Sequence, residues 1–160
     1  MLDFLIILVL IVISAIIING VEDCNKKDAM SFREAMDLTS LPIVTFYQGD
    51  KKFNFLLDTG ATLSVINQAV LESITHTTTD RAGELFGVDG VKREVSYTSI
   101  NLTYKNKEYI EEFQVLDMQE AIDQVKAESG VNMVGIIGSE FFRKYKYVLD
   151  FDELVAYSKK

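Results

Sequence analysis

The residue types able to do chemistry are few in this chain, and they gather at one place. Phe55-Leu56-Leu57-Asp58-Thr59-Gly60-Ala61-Thr62 delivers a carboxylate, then a hydroxyl, then a glycine from the end of an apolar strand. A lone charge there is costly to bury, so Asp58 must be hydrogen-bonded, paired or shifted in pKa. Gly60 lets backbone approach closely whatever the carboxylate serves. Such a group either performs general acid–base work or simply closes a turn by bonding its own loop. Other chemistry has little to build on, because the 160 residues include one His and one Cys. His76 has no nucleophile motif beside it and reads as a surface or strand residue. Cys24 alone excludes an intramolecular disulfide and a thiolate metal centre. Acylation or an intermolecular disulfide is open to it, and an inert thiol is the plainer reading. With 16 basic against 24 acidic side chains and a formal charge of −8, the chain lacks the basic stripe of a nucleic-acid binder.

The elements that must position Asp58 are short β runs separated by turn signals. LPIVTFY (41–47) and KFNFLLD (52–58) flank a hairpin turn at Gly49-Asp50-Lys51. Asn67 is placed to cap a short helix through AVLESI. GELFG (83–87) and VKREVSYTSINLTY (91–104) form a hairpin with Gly at each end of its tip, and a further turn at 105–107 leads into EYIEEFQVLD (108–117). Apolar residues at Met118, Ala121, Ile122 and Val125 have helical spacing, with Gly130 as the stop. A buried strand NMVGII, a short helix SEFFRKY and a hairpin YKYVLD–FDE–LVAYS complete the chain, and that last turn accounts for Asp150 and Asp152. Glu108, Glu111 and Glu112 read as a solvated strand face, and Tyr97, Tyr104 and Tyr109 as exposed strand positions.

Two segments in this order, LLDTGATLSVI (56–66) and GIIGSEFFRKYKYVLDF (135–151), with a glycine-tipped hairpin between them, resemble the retropepsin-like aspartic proteases. The likeness spans roughly Leu41 to Tyr157. It implies a mainly β, closed barrel-like fold with two or three short helices. By the same resemblance Asp58 is the catalytic aspartate, Thr59 braces the paired loops, and Gly60 and Ala61 support the catalytic loop. Ile136, Ile137 and Gly138 pack behind that loop, and Gly87, Val88, Asp89 and Gly90 form the flap tip over substrate. The 118–130 helix lies outside the minimal pattern.

Aspartic protease chemistry needs two carboxylates about 3 Å apart sharing one proton. This chain has one Asp-Thr-Gly, so one chain supplies half a site. A homodimer with Asp58 from each protomer at a two-fold axis is expected, acting on a polypeptide without metal or cofactor. The rival is an inactive retropepsin-like peptide-binding or scaffold module, and a further one is a soluble part that merely positions an anchor. Phe4 to Ile18 is almost wholly large and apolar, and Met1 to Val21 is close to the length of a bilayer span. We therefore expect residues 1–21 to anchor the chain in membrane lipid, 22–40 to form a polar stalk with a short helix near Ser31–Met36, and 41–160 to form the folded domain. A cleaved signal segment and a buried helix are the alternatives, and the side of the membrane stays open because Lys26 and Lys27 stand among acidic residues.

Overall fold

A computed structural model of the chain describes residues 31–86 and 92–159. The expected anchor (1–21), most of the expected stalk, Cys24 and the flap tip Gly87–Gly90 lie outside the described residues. Among the described residues no helix is long and apolar enough to cross a membrane.

Among the described residues nine strands and three α-helices follow one another as α1 (Phe32–Thr39), β1 (Ile43–Gln48), β2 (Lys51–Leu57), β3 (Ser64–Asn67), β4 (Thr77–Phe86), β5 (Lys92–Tyr104), β6 (Lys107–Leu116), α2 (Gln119–Ser129), β7 (Met133–Ile137), α3 (Ser139–Tyr145), β8 (Tyr147–Asp150) and β9 (Val155–Ser158). Seven strands form one sheet in the order β1-β2-β7-β3-β6-β5-β4, and β1 pairs back to β5. Six strands therefore close on themselves and β4 stands outside the ring. Closure rests on the single register pair Tyr47–Thr103, and Gln48 stitches the same seam by bonding Asn101 O and both backbone groups of Thr75. The strand pattern implied a mainly β domain, and the closed barrel is what the resemblance implied.

Period-two patterning explains why the strands face as they do. In β2, Phe53, Phe55 and Leu57 point inward at 5, 0 and 2% exposure while Asn54 and Leu56 between them are half-buried. Burying each such side chain contributes about 1.5–3 kcal/mol. Phe46 sits among them, with its ring edge-on to Phe55, Tyr109 and Phe141 at 5.9, 5.9 and 6.0 Å. Turn chemistry closes the hairpins, as in β5–β6, where Lys105 and Asn106 both take positive φ (48 and 61°).

Several expectations are corrected. The short helix expected near Ser31–Met36 spans Phe32–Thr39 behind a capping box of Ser31 and Glu34, but it buries Phe32 and Ala35 against the domain where a polar stalk was expected. Phe32 meets Phe151 in the β8–β9 turn at 5.5 Å, and Arg33 donates to Glu153 O, so α1 fastens the carboxy-terminal hairpin. Asn67 does not cap its own short 3₁₀ turn, Gln68–Val70. Its side chain reaches instead to Met118 N and Gln119 Oε1 and anchors the start of α2. Tyr97 and Tyr109 are buried, not exposed, at 5 and 2%. Asp150 Oδ1 accepts from Asp152 N and Glu153 N, the turn role expected of it.

Candidate active site

Asp58 leaves β2 beside the end of its parallel neighbour β7, where its N–H donates to Ile137 O at 3.0 Å. One carboxylate oxygen, Oδ1, accepts the Gly60 N–H at 2.8 Å, and Ala61 N donates to Asp58 O at 3.3 Å. The carboxylate is thus folded over a tight loop, half-buried, with Thr59 and Gly60 exposed beside it. A Cβ on Gly60 would stand 3.1 Å from Asp58 Oδ1, so the glycine keeps that oxygen uncrowded.

The loop is held from behind by a run of successive backbone groups. Ile137 O takes Asp58 N–H, Gly138 N donates to Ser64 Oγ at 3.1 Å, Ser139 N donates to Ala61 O at 2.8 Å, and Glu140 N donates to Thr62 O at 3.1 Å. Helices begin with N–H groups that have no partner of their own, and α3 has no side-chain cap. Its first two N–H groups are satisfied by the loop instead. Glycine is required where this strand crosses β3. A Cβ on Gly138 would come within 2.5 Å of the Leu63 carbonyl, and one on Gly135 would collide with Val65 O. The pair of glycines in the 135–138 segment is therefore a close-approach device, and Ile136 and Ile137 pair with Leu56 and Leu57, the two residues before Asp58.

Glu111 is the residue that sequence reasoning misplaced. It is 5% exposed, in step with Tyr109 and Phe113 on the inner face of β6, while Glu108 and Glu112 point the other way. Two-residue periodicity over YIEEF carried this signal. The buried carboxylate accepts from Ser64 Oγ at 2.9 Å and has Lys144 Nζ 3.5 Å from Oε2. Burial pushes its pKa above the usual 4.5, against the opposing pull of Ser64 and Lys144. A cleft of about 500 Å³ opens beside this group, lined by Leu63, Glu140, Arg143 and Lys144 among others, behind the loop rather than over Asp58.

The β4–β5 hairpin rises from the other side. Its register slips between Thr79 and Ala82, a bulge that bends the hairpin. Above the bulge Tyr97 lies against Gly83, where a Cβ would meet its hydroxyl at 2.6 Å. The same hydroxyl accepts from Gln114 Nε2 at 2.9 Å, and the Arg81 guanidinium, paired with Glu112, stacks 4.3 Å above the ring. His76 stands apart, its Nδ1 2.9 Å from Ile74 O.

Residues 44–141 match the family described as aspartyl protease. No curated protein sequence matches the chain. Among solved structures, the retroviral protease-like domain of Ddi1 from Leishmania major aligns with a TM-score of 0.52 at 13% identity, covering 75% of this chain and 89% of that one. That likeness shows the retropepsin-like fold. The EIAV protease complexed with the inhibitor HBY-793 aligns at 22% identity with a TM-score of 0.49, over 69% of this chain and 93% of that one.

Proposed function

The chain belongs to the aspartyl protease family, in its retropepsin-like form, and from that premise we propose that it is a homodimeric endopeptidase whose two Asp58 carboxylates activate water. The observation that carries the reading is the setting of Asp58: it projects from a loop held from behind by the backbone of 137–140, half-open, with its Oδ1 oriented by Gly60. A second aspartate brought within about 3 Å would share one proton with it, because two like charges that close cannot both ionise. The ionised partner then takes a proton from water while the protonated one polarises the scissile carbonyl, and no covalent intermediate forms.

Thr59 is exposed next to the carboxylate, where its hydroxyl is available to a second copy of the loop. The β4–β5 hairpin would close over an extended peptide, which adds main-chain hydrogen bonds as a strand does. The apolar run at 4–18 supports attachment to a membrane, which would concentrate protomers and favour pairing. A broad peptide-library screen from acid to neutral pH tests the reading. Wild-type protein should cleave, and Asp58→Asn should lose activity on the order of 10³-fold or more while sedimenting as the same dimer. Equal cleavage by both proteins sinks the mechanism, and cleavage by neither supports a peptide-binding module instead.

A further inference from the structure

Four rungs hold the catalytic loop from behind, and three of them join backbone to backbone: Asp58 N to Ile137 O, Ser139 N to Ala61 O, and Glu140 N to Thr62 O. Those three survive most substitutions. The fourth, Gly138 N to Ser64 Oγ, ends on a side chain that is itself buried at 1% exposure. A serine hydroxyl has one proton and two lone pairs. For Ser64 to accept from Gly138, its proton needs another acceptor, and that acceptor is Glu111 Oε1 at 2.9 Å. Glu111 in turn is held by Lys144, whose ammonium also donates to Ile110 O at 2.5 Å.

The geometry points to Glu111 as a positioning residue for the proposed hydrolysis: through Ser64 it fixes Gly138, and through Gly138 the stretch that carries the Ile137 carbonyl under Asp58. It touches no substrate. A carboxylate at a core position of β6 is costly, and a hydrophobic residue between Tyr109 and Phe113 would fill the same place. The hydroxyl's direction is what a hydrophobic residue there could not set. The groups facing Glu111 are Ser64 from β3 and Lys144 and Glu140 from α3, with Glu112, Arg143 and Lys146 around the adjoining cleft. This inference rests on the reading of Asp58 as catalytic, so its test includes an arm that needs no catalysis.

The experiment uses the full chain as wild type, Ser64→Ala, Glu111→Ala, the double variant and Glu111→Gln. If Glu111 acts only through Ser64, each alanine variant loses about 10- to 100-fold in kcat with little change in KM, and the double variant is no worse than Ser64→Ala. Glu111→Gln keeps an acceptor for the hydroxyl and recovers most of the loss. Amide hydrogen exchange over 57–64 and 135–140 should rise in both alanine variants and return in Glu111→Gln. Additive kinetic losses, or a kcat unchanged in Glu111→Ala with only a lower thermal midpoint, would overturn the role, as would unaltered exchange in those two segments. Should the wild type cleave nothing, the reading of Asp58 fails separately, and the exchange arm still decides whether Glu111 holds the loop.

Discussion

The two sides of the candidate site are built on different principles. The Asp58 loop is tied by successive backbone groups of 137–140, with glycines that allow the strands to touch. The β4–β5 hairpin has a partner on one edge alone among the described residues, since β4 ends the sheet, and above its bulge Tyr97 packs over Gly83. Backbone bonding gives a fixed geometry where a carboxylate must be placed within fractions of an ångström. The hairpin's own pairing is internal and it meets the rest of the sheet through β5, so we expect it to swing more readily than the loop.

Substitutions of the two sets of glycines should separate these designs, with the largest effect on the loop side. Gly138→Ala puts a Cβ into the Leu63 backbone, which has no rotamer to escape into, so the crossing must open. We expect a loss of about 1–3 kcal/mol of stability together with loss of activity, measured by denaturant unfolding and peptide cleavage. A variant that stays stable and active would show that the crossing is looser than it looks.

Gly83→Ala collides instead with the far end of the Tyr97 side chain, which can swing away at the expense of its bond from Gln114. Its cost should be smaller, about 0.5–1.5 kcal/mol, and should show mainly as a raised KM with kcat near wild type. Equal effects of the two alanines on kcat would erase the contrast between a fixed loop and a hinged hairpin.

A third test concerns pH. Burial raises the Glu111 pKa above 4.5, so folding favours its protonated form. The contribution is fully present below the unfolded value and is lost as pH rises through the folded one. Glu111→Gln, neutral throughout, should therefore gain thermal stability over wild type as pH climbs from about 4.5 toward neutral. A difference between the two that is constant with pH would mean that Lys144 and Ser64 offset burial fully. The smallest effect is expected at Tyr147, whose buried hydroxyl has no hydrogen-bond partner among the described residues. Tyr147→Phe should be neutral or stabilise by about 1 kcal/mol in thermal unfolding, and a clear loss would point to an unseen partner for that oxygen.

Much of this was legible residue by residue. The D-T-G-A run, the two glycines of 135–138, the hairpin turns and the 119–129 helix are local signals, because turn chemistry, helical spacing and strand alternation act over a few residues. The capping box at Ser31 and Glu34 is local too, but that its helix packs Phe32 and Ala35 into the domain is a tertiary matter. What the chain alone could not decide was which side chains meet. Ser64 and Glu111 are 47 residues apart, and only the parallel pairing of β3 with β6 brings the hydroxyl to the carboxylate. The amino-acid order determined that an aspartate would stand at the end of an apolar strand before a glycine turn. Tertiary structure decided what holds it there, since the partners of a hydrogen bond are set by strand register and close approach, and neither is written in the neighbours of Asp58.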